Sequence, residues 1–268
     1  MHDRPSPTDL ERFLSVAFAI TDETRTLVRA ALDRGFAHRH KADRTFVTDV
    51  DLAVEDRIRE RLAVAFPDHA VLGEERPDRA GASGYEWVVD PIDGTLSLRH
   101  RVPLYGTILA LRHRGLPVVG VIDLPGLERR YHAASGLGAF RGRERLRLVE
   151  PESVDDEIVA IGDRRQFVAI GKRDVFERIV AGHPVVRTYA DCFGHALAIE
   201  GSVGAMVDFG LRVWDVAASE VLVTEAGGRY VELERRAIPD GAETYDVLFG
   251  KPAVVQHLLE LLGSGLET

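Results

Sequence analysis

Cysteine is almost missing from this chain. One residue in 268, Cys192, carries a thiol, so no internal disulfide can form. The fold must rest on packing, and a reducing cytoplasm is the expected compartment. Long apolar runs are missing too. No stretch is apolar for long enough to span a bilayer, and Met1-His2-Asp3-Arg4-Pro5 holds no apolar signal core, so no membrane partner is expected. Basic excess is the third absence. Lys and Arg number 34 against 43 Asp and Glu, a formal net charge of −9. Such a chain repels nucleic acid unless a local patch overrides the average. The one dense basic run, residues 141–147, contains a glutamate and reads as a solvated loop or edge strand, so no nucleic-acid partner is expected. What is present is ordinary for a globular protein with a sizeable core: 45 % apolar and 29 % charged residues.

Apolar positions Leu10, Phe13, Leu14, Ala17, Leu27, Val28, Ala31 and Leu32 fall largely on one helical face. They predict a helix over 9–34, stopped by Gly35. A polar loop, 38–45, leads to a second helix over 51–66, ahead of Pro67. Residues 70–72 read as a strand. Short runs at 85–89, 105–112, 118–123, 129–133 and 138–141 are separated by Gly or Pro turns and predict an antiparallel meander. Beyond residue 150 the rhythm changes. Residues 158–161 and 167–170 read as buried strands, 174–180 as a helix, 185–187 as a strand, 193–200 as a helix and 205–209 as a strand. A helix over 215–226 ends at Gly227-Gly228; strands 229–233 and 245–249 and a helix over 252–262 follow. The pattern predicts an α+β lobe, 1–145, packed on an α/β lobe, 146–268, as one two-lobed unit.

The chemistry concentrates in Trp87-Val88-Val89-Asp90-Pro91-Ile92-Asp93-Gly94-Thr95. An apolar strand runs into two carboxylates three residues apart, and that crowding costs repulsion unless a cation sits there. Pro91 keeps Asp90 extended, and the Ile92 carbonyl falls between the two side chains. Carboxylate, carbonyl and water oxygens together suit a hard cation such as magnesium. Gly94 permits close backbone approach, and Thr95 can open a helix whose free amides face an anion. Three more acidic places join it. Gly73-Glu74-Glu75 follows a strand and can supply a ligand. Asp215, after Trp214, sits where a helix N-cap belongs; one oxygen can cap while the other binds metal. Asp49 and Asp51 stand at a helix start, where they favour its positive end, and Asp51 can instead hold a hydroxyl that orients a water.

Taken in order, Lys41, Val47-Thr48 with Asp51, Gly73-Glu74-Glu75, Asp90-Pro91-Ile92-Asp93-Gly94-Thr95, Trp214-Asp215 and Glu225-Ala226-Gly227-Gly228 resemble the inositol monophosphatase superfamily, over roughly residues 10–260. The resemblance implies an α+β fold, a layered α-β-α-β-α sandwich of the inositol monophosphatase and fructose-1,6-bisphosphatase type. It implies a lithium-sensitive phosphatase using two or three Mg2+ ions, which acidify an attacking water and shield the ester's charge. Glu74, Asp90, the Ile92 carbonyl, Asp93 and Asp215 match its metal ligands. The implied catalytic residues are Glu74 with Asp51 and Thr95, the last two as the pair that orients the water. Ile92, Asp93, Gly94, Thr95 and Asp215 match the phosphate side of its substrate site. A homodimer is implied as well.

Within the superfamily, residues 103–111, 117–125 and 128–130, together with 187–195, look most like the histidinol-phosphatase branch. That match places Arg187 and Asp191 near a small phosphorylated alcohol, with Asp208 as a further substrate-contacting acid. Acids suit histidinol phosphate, whose amine and imidazole can both be cationic. An inositol phosphate or another cyclitol, sugar or nucleotide monophosphate is the alternative, and a scaffold-retaining regulatory binding protein is the non-enzymatic one. The run from Leu96 to Pro103 departs from the branch: Arg101 stands where it usually has glycine, and Leu96 and Leu98 would change a pocket wall or a dimer contact. His195, on an apolar helix, reads as a hydrogen-bonded core histidine, Cys192 as a small buried residue, and His38 and His40 as a solvated basic loop.

Overall fold

The computed structural model describes residues 5–41, 46–238 and 241–263. The first helix, α1 (Pro7–Arg34), begins two residues before its first expected position because Ser6 caps it. Ser6 Oγ accepts the Asp9 amide, and the Asp9 carboxylate accepts the Ser6 amide, each at 3.2 Å. Where a polar loop was expected, β1 (His38–His40) pairs antiparallel with β2 (Phe46–Thr48), and the His40 ring lies 4.4 Å from that of Phe46. Residues 42–45 of that loop lie outside the described residues. α2 (Asp49–Ala65) also starts two residues early, with Thr48 as its N-cap.

Next come β3 (Ala70–Gly73), β4 (Tyr85–Asp93), α3 (Thr95–Arg99), β5 (Gly106–His113), β6 (Leu116–Leu124), β7 (Arg129–Ala134), β8 (Gly138–Arg141) and β9 (Glu144–Arg145). β3 to β9 form a seven-stranded sheet in sequence order, antiparallel except where β3 runs parallel to β4. The basic run at 141–147 is its edge.

The rest of the chain gives β10 (Val159–Ile161), α4 (Arg164–Ala169), α5 (Arg173–Gly182), β11 (Val186–Thr188), α6 (Asp191–Glu200), β12 (Ala205–Leu211), α7 (Val213–Glu225), β13 (Arg229–Ala237), β14 (Glu243–Gly250) and α8 (Pro252–Gly263). Its five-stranded sheet has the order β11-β10-β12-β14-β13. One expectation fails: 167–170 belongs mostly to helix α4, not to a strand. Asp163 caps that helix by accepting the Arg165 amide at 2.9 Å, and Phe167 is buried against Phe209, ring centroids 4.6 Å apart. A four-residue apolar run has no period by which to tell the two forms apart.

Period-two alternation sorts the strands into layers. Trp87, Val89, Leu109, Leu111, Val119 and Val121 pack with α1 and α2. Their neighbours Val88, Ile108, Ala110 and Ile122 point the other way, onto α6 and α7, which also receive Met206, Val247 and Phe249 from the second sheet. Val159, Ile161, Val207 and Leu248 face outward onto α4, α5 and α8. The order is helix, sheet, helix, sheet, helix, an α+β sandwich. Contact between β6 and α7 is close enough that a Cβ on Gly120 would stand 2.6 Å from the Ala218 carbonyl oxygen. Among the described residues, no helix is long and apolar enough to cross a membrane.

Candidate active site

Strand β4 pairs in step with β5 from Tyr85 to Asp90, then slips: Asp90 lies opposite Ile108, but Asp93 lies opposite Gly106. Three residues on one side span two on the other, a bulge that re-aims the strand's end. Pro91 has no amide to give the ladder, and its carbonyl accepts the Thr107 hydroxyl at 2.8 Å. Gly94 then turns the chain in the left-handed region, φ 83°, and a Cβ there would meet the Leu104 carbonyl oxygen at 2.9 Å. Thr95 follows as the first residue of α3.

The third carboxylate arrives from α7. That helix begins at Val213, so Asp215 sits in its first turn and not at the expected N-cap. Its Oδ2 accepts the Arg212 amide at 2.7 Å. One oxygen each from Asp90, Asp93 and Asp215 lies within 4.8 Å of the others. Asp90 is 2 % exposed, and its Oδ1 has no hydrogen-bond partner. Burial, then Glu74 and Asp93, drive the Asp90 carboxyl far above its usual range; burial, then Asp191 and Asp215, do the same to Asp93. Asp215 is pushed up to about 8, burial again first. Three converging acids and an orphaned buried oxygen fit a hard divalent cation, the neutraliser such a set needs.

Glu74 lines the same cleft of about 540 Å³, with Ile92, Gly94, Thr95, Arg212 and Trp214. Lys41 reaches over to it, Nζ 2.6 Å from Glu74 Oε1, and also pairs with Glu75. Burial alone would lower the Lys41 ammonium, but the two glutamates outweigh it and hold it above its usual range. Asp51 stands behind Thr95. Its Oδ2 accepts the Thr48 amide at 2.9 Å and the Thr48 hydroxyl; its Oδ1 accepts the Thr95 hydroxyl at 2.9 Å. Thr95 Oγ1 is also 3.1 Å from the Ile92 carbonyl. Burial raises the Asp51 carboxyl, making it a readier proton holder than a surface aspartate.

A second pocket of about 190 Å³ adjoins the cleft and shares Asp93, Gln166 and Asp215 with it. Among the described residues, its wall holds five aspartates, Asp93, Asp163, Asp191, Asp208 and Asp215, together with His195, and no lysine or arginine. Asp191 and Asp208 therefore face one space. Burial, then Asp208, lifts the Asp191 carboxyl to about 6. The Cys192 amide donates to the Asp93 carboxylate, tying α6 to β4. Cys192 is fully buried, as expected, and burial raises its thiol. His195 is a core histidine that also walls the pocket.

Arg187 is not brought in. It is exposed on β11, where Nη1 bonds the Val186 carbonyl at 2.8 Å. Leu98 is fully buried and Leu96 is 54 % exposed, and neither lines either pocket. Asp163 and Gln166 were missed by the sequence reading. The usable signal was position: Asp163 follows the carboxyl end of β10, beside the parallel strand β12 that carries Asp208, and such ends collect ligand-binding residues.

A layered fold that gathers carboxylates from separate elements beside a tight glycine turn is the architecture of a metal-dependent phosphatase family. The chain belongs to the inositol monophosphatase family, whose family model matches residues 9–262, and it is a phosphoric monoester hydrolase. A histidinol-phosphatase of Mycobacterium tuberculosis is 35 % identical over 236 residues, 85 % of this chain and 90 % of that one. An inositol monophosphatase of Dictyostelium discoideum is 30 % identical, covering 94 % and 96 %. Among solved structures, the extragenic suppressor protein SuhB of Bartonella henselae superposes with a TM-score of 0.84 at 24 % identity, over 95 % of this chain and all of that one.

Proposed function

We propose that this enzyme hydrolyses histidinol phosphate to histidinol and inorganic phosphate, using Mg2+. One observation carries the choice of alcohol: among the described residues, the pocket beside the carboxylate cluster is walled by five aspartates and no lysine or arginine. A neutral polyol gains little from such a wall, whereas an ammonium or imidazolium gains charge-assisted hydrogen bonds. Three curated relatives named histidinol-phosphatase, at 32–36 % identity, support the same reading.

In this mechanism Glu74, Asp90, Asp93, Asp215 and the Ile92 carbonyl would hold two or three Mg2+ ions. Bound there, the ions supply Lewis acidity toward an attacking water and toward the ester oxygens. The chain's own residues orient and move protons. Thr48 saturates one oxygen of Asp51, so the other is committed to Thr95. With its proton turned to Asp51, Thr95 Oγ1 offers a lone pair to the attacking water and aims it. The water's proton passes to Thr95 Oγ1 as the threonine proton passes to Asp51. The water oxygen bonds to phosphorus as the ester P–O bond breaks, and the departing alkoxide takes a proton from solvent water. The Gly94 and Thr95 amides bind phosphate oxygens, and Asp191 and Asp208 bind the cationic end of the alcohol.

A phosphate-release screen over histidinol, inositol, sugar and nucleotide monophosphates tests the reading. Histidinol phosphate should give the highest kcat/KM. Asp208→Asn should raise its KM about ten-fold, the worth of one charge-assisted hydrogen bond. A preference for inositol-1-phosphate would sink the assignment and leave the phosphatase standing.

A further inference from the structure

His195 is 2 % exposed, on α6, and its ring is wedged edge-on against Phe249 with centroids 5.0 Å apart. Nδ1 is 2.8 Å from Ser219 Oγ, inside α7. Nε2, on the side of the acidic pocket, has no hydrogen-bond partner; it stands 3.5 Å from Asp208 Oδ2 without bonding it. An orphaned buried ring nitrogen is costly, and a ligand in the pocket would satisfy it.

With the imidazole proton on Nδ1, donated to Ser219 Oγ at 2.8 Å, Nε2 presents a lone pair to the pocket. Ionised Asp191 and Asp208 accept only. Gln166, the amide in the wall, has its Nε2 engaged with the Gly210 carbonyl at 3.0 Å. The pocket is thus rich in acceptors and poor in donors. A primary ammonium is the reverse, three N–H donors and no acceptor.

We propose that His195 Nε2 is the third acceptor of an ammonium seat formed with Asp191 and Asp208, and that it sets a preference for esters whose alcohol carries a primary amine. The inference rests on the function proposed above and adds a specificity-determining residue to it.

The test compares histidinol phosphate with the same ester lacking its amine. Wild-type enzyme should favour the amine-bearing ester by at least about ten-fold in kcat/KM. His195→Asn places an amide where Nδ1 stands, keeping a partner for Ser219, but ends short of the pocket. It should raise KM for histidinol phosphate about ten-fold and bring the ratio between the two esters close to unity. His195→Gln, whose amide oxygen reaches the Nε2 position, should restore most of the ratio. A reading free of any variant comes from the 15N resonance of Nε2 in wild-type protein, which should move on addition of histidinol and not of the deaminated alcohol. A wild-type enzyme indifferent to the amine overturns the histidinol phosphate assignment along with this inference. A wild-type preference that His195→Asn leaves whole, or an Nε2 resonance that histidinol does not move, overturns the role of His195 alone.

Discussion

The cleft around Asp90, Asp93 and Asp215 and the pocket around Asp191, Asp208 and His195 share a wall, and both are carboxylate-lined. They differ in how the charge is answered. On the cleft side a lysine bridges Glu74 and Glu75, and Asp51 is saturated by two hydroxyls and an amide. What stays unanswered there is a tight trio of oxygens, one of them orphaned, at the spacing a small hard cation fills. The pocket's acids are spread around a cavity of about 190 Å³. Room of that size suits part of a molecule. On the function proposed above, the concentrated charge would hold an ion, and the dispersed charge with space inside it would hold an organic cation.

The hardest blow to that contrast is Asp90→Asn. It should cut kcat on any substrate roughly a thousand-fold, about 4 kcal/mol in the barrier, and a chelator should abolish wild-type turnover. Metal-free Asp90→Asn should nonetheless melt higher than metal-free wild type, because a buried carboxylate crowded by like charges is removed. Steady-state phosphate release and thermal melting read the two effects. Were the variant fully active, the trio would be no different in kind from the pocket.

A smaller effect sharpens the same point through pH. The Asp215 carboxyl rises to about 8 and that of Asp191 to about 6, from an ordinary 3.8. Acids whose folded values are raised favour the folded protein while protonated. Their contribution is therefore complete below about pH 4 and is lost as pH climbs through the folded values. The Tm of metal-free enzyme should fall between about pH 4 and pH 8, against the common trend of acid-sensitive proteins. Saturating Mg2+ should remove the fall between about pH 6 and pH 8, where only the cleft acid contributes, and reduce without abolishing it below pH 6, where Asp191 contributes as well. A slope that Mg2+ removes entirely, or not at all, would merge the two regions.

The same division explains what could be read from the chain. Asp90, Asp93 and Thr95 are neighbours in sequence, and one strand, one proline and one glycine fix their relation, so the cleft was legible before any coordinates. The five-layer sandwich was legible only through the family resemblance; the pattern of strands and helices by itself gave an α+β lobe packed on an α/β lobe. The pocket is assembled from the ends of β10, α6 and β12, and nothing local links Asp163 to His195 across 32 positions. Pairing of β10 with β12 brings Asp163 beside Asp208, and α6 carries Asp191 and His195 to the same pocket. Arg187 shows the converse. Four positions from Asp191 in sequence, it is on the far side of a strand-to-helix turn and is exposed.

Arg101 supplies the smallest expected effect, and it tests whether the departure from the histidinol-phosphatase branch at 96–103 reaches either region. Its φ is 59°, in the left-handed region where an L side chain costs about 1–2 kcal/mol. Glycine has no such cost there, but it gives back roughly 0.4–1 kcal/mol in unfolded-chain entropy. Arg101→Gly should therefore stabilise the protein by at most about 1.5 kcal/mol, a rise in Tm of about 3 °C for a chain of this size. The side chain is exposed and lines neither cavity. The ratio of histidinol phosphate to inositol-1-phosphate turnover should therefore stay within about two-fold, a difference worth only about 0.4 kcal/mol. A larger change would mean that the turn after α3, whose Leu104 carbonyl closes on Gly94, transmits to the choice of alcohol. Specificity would then belong to the cleft as well as to the pocket.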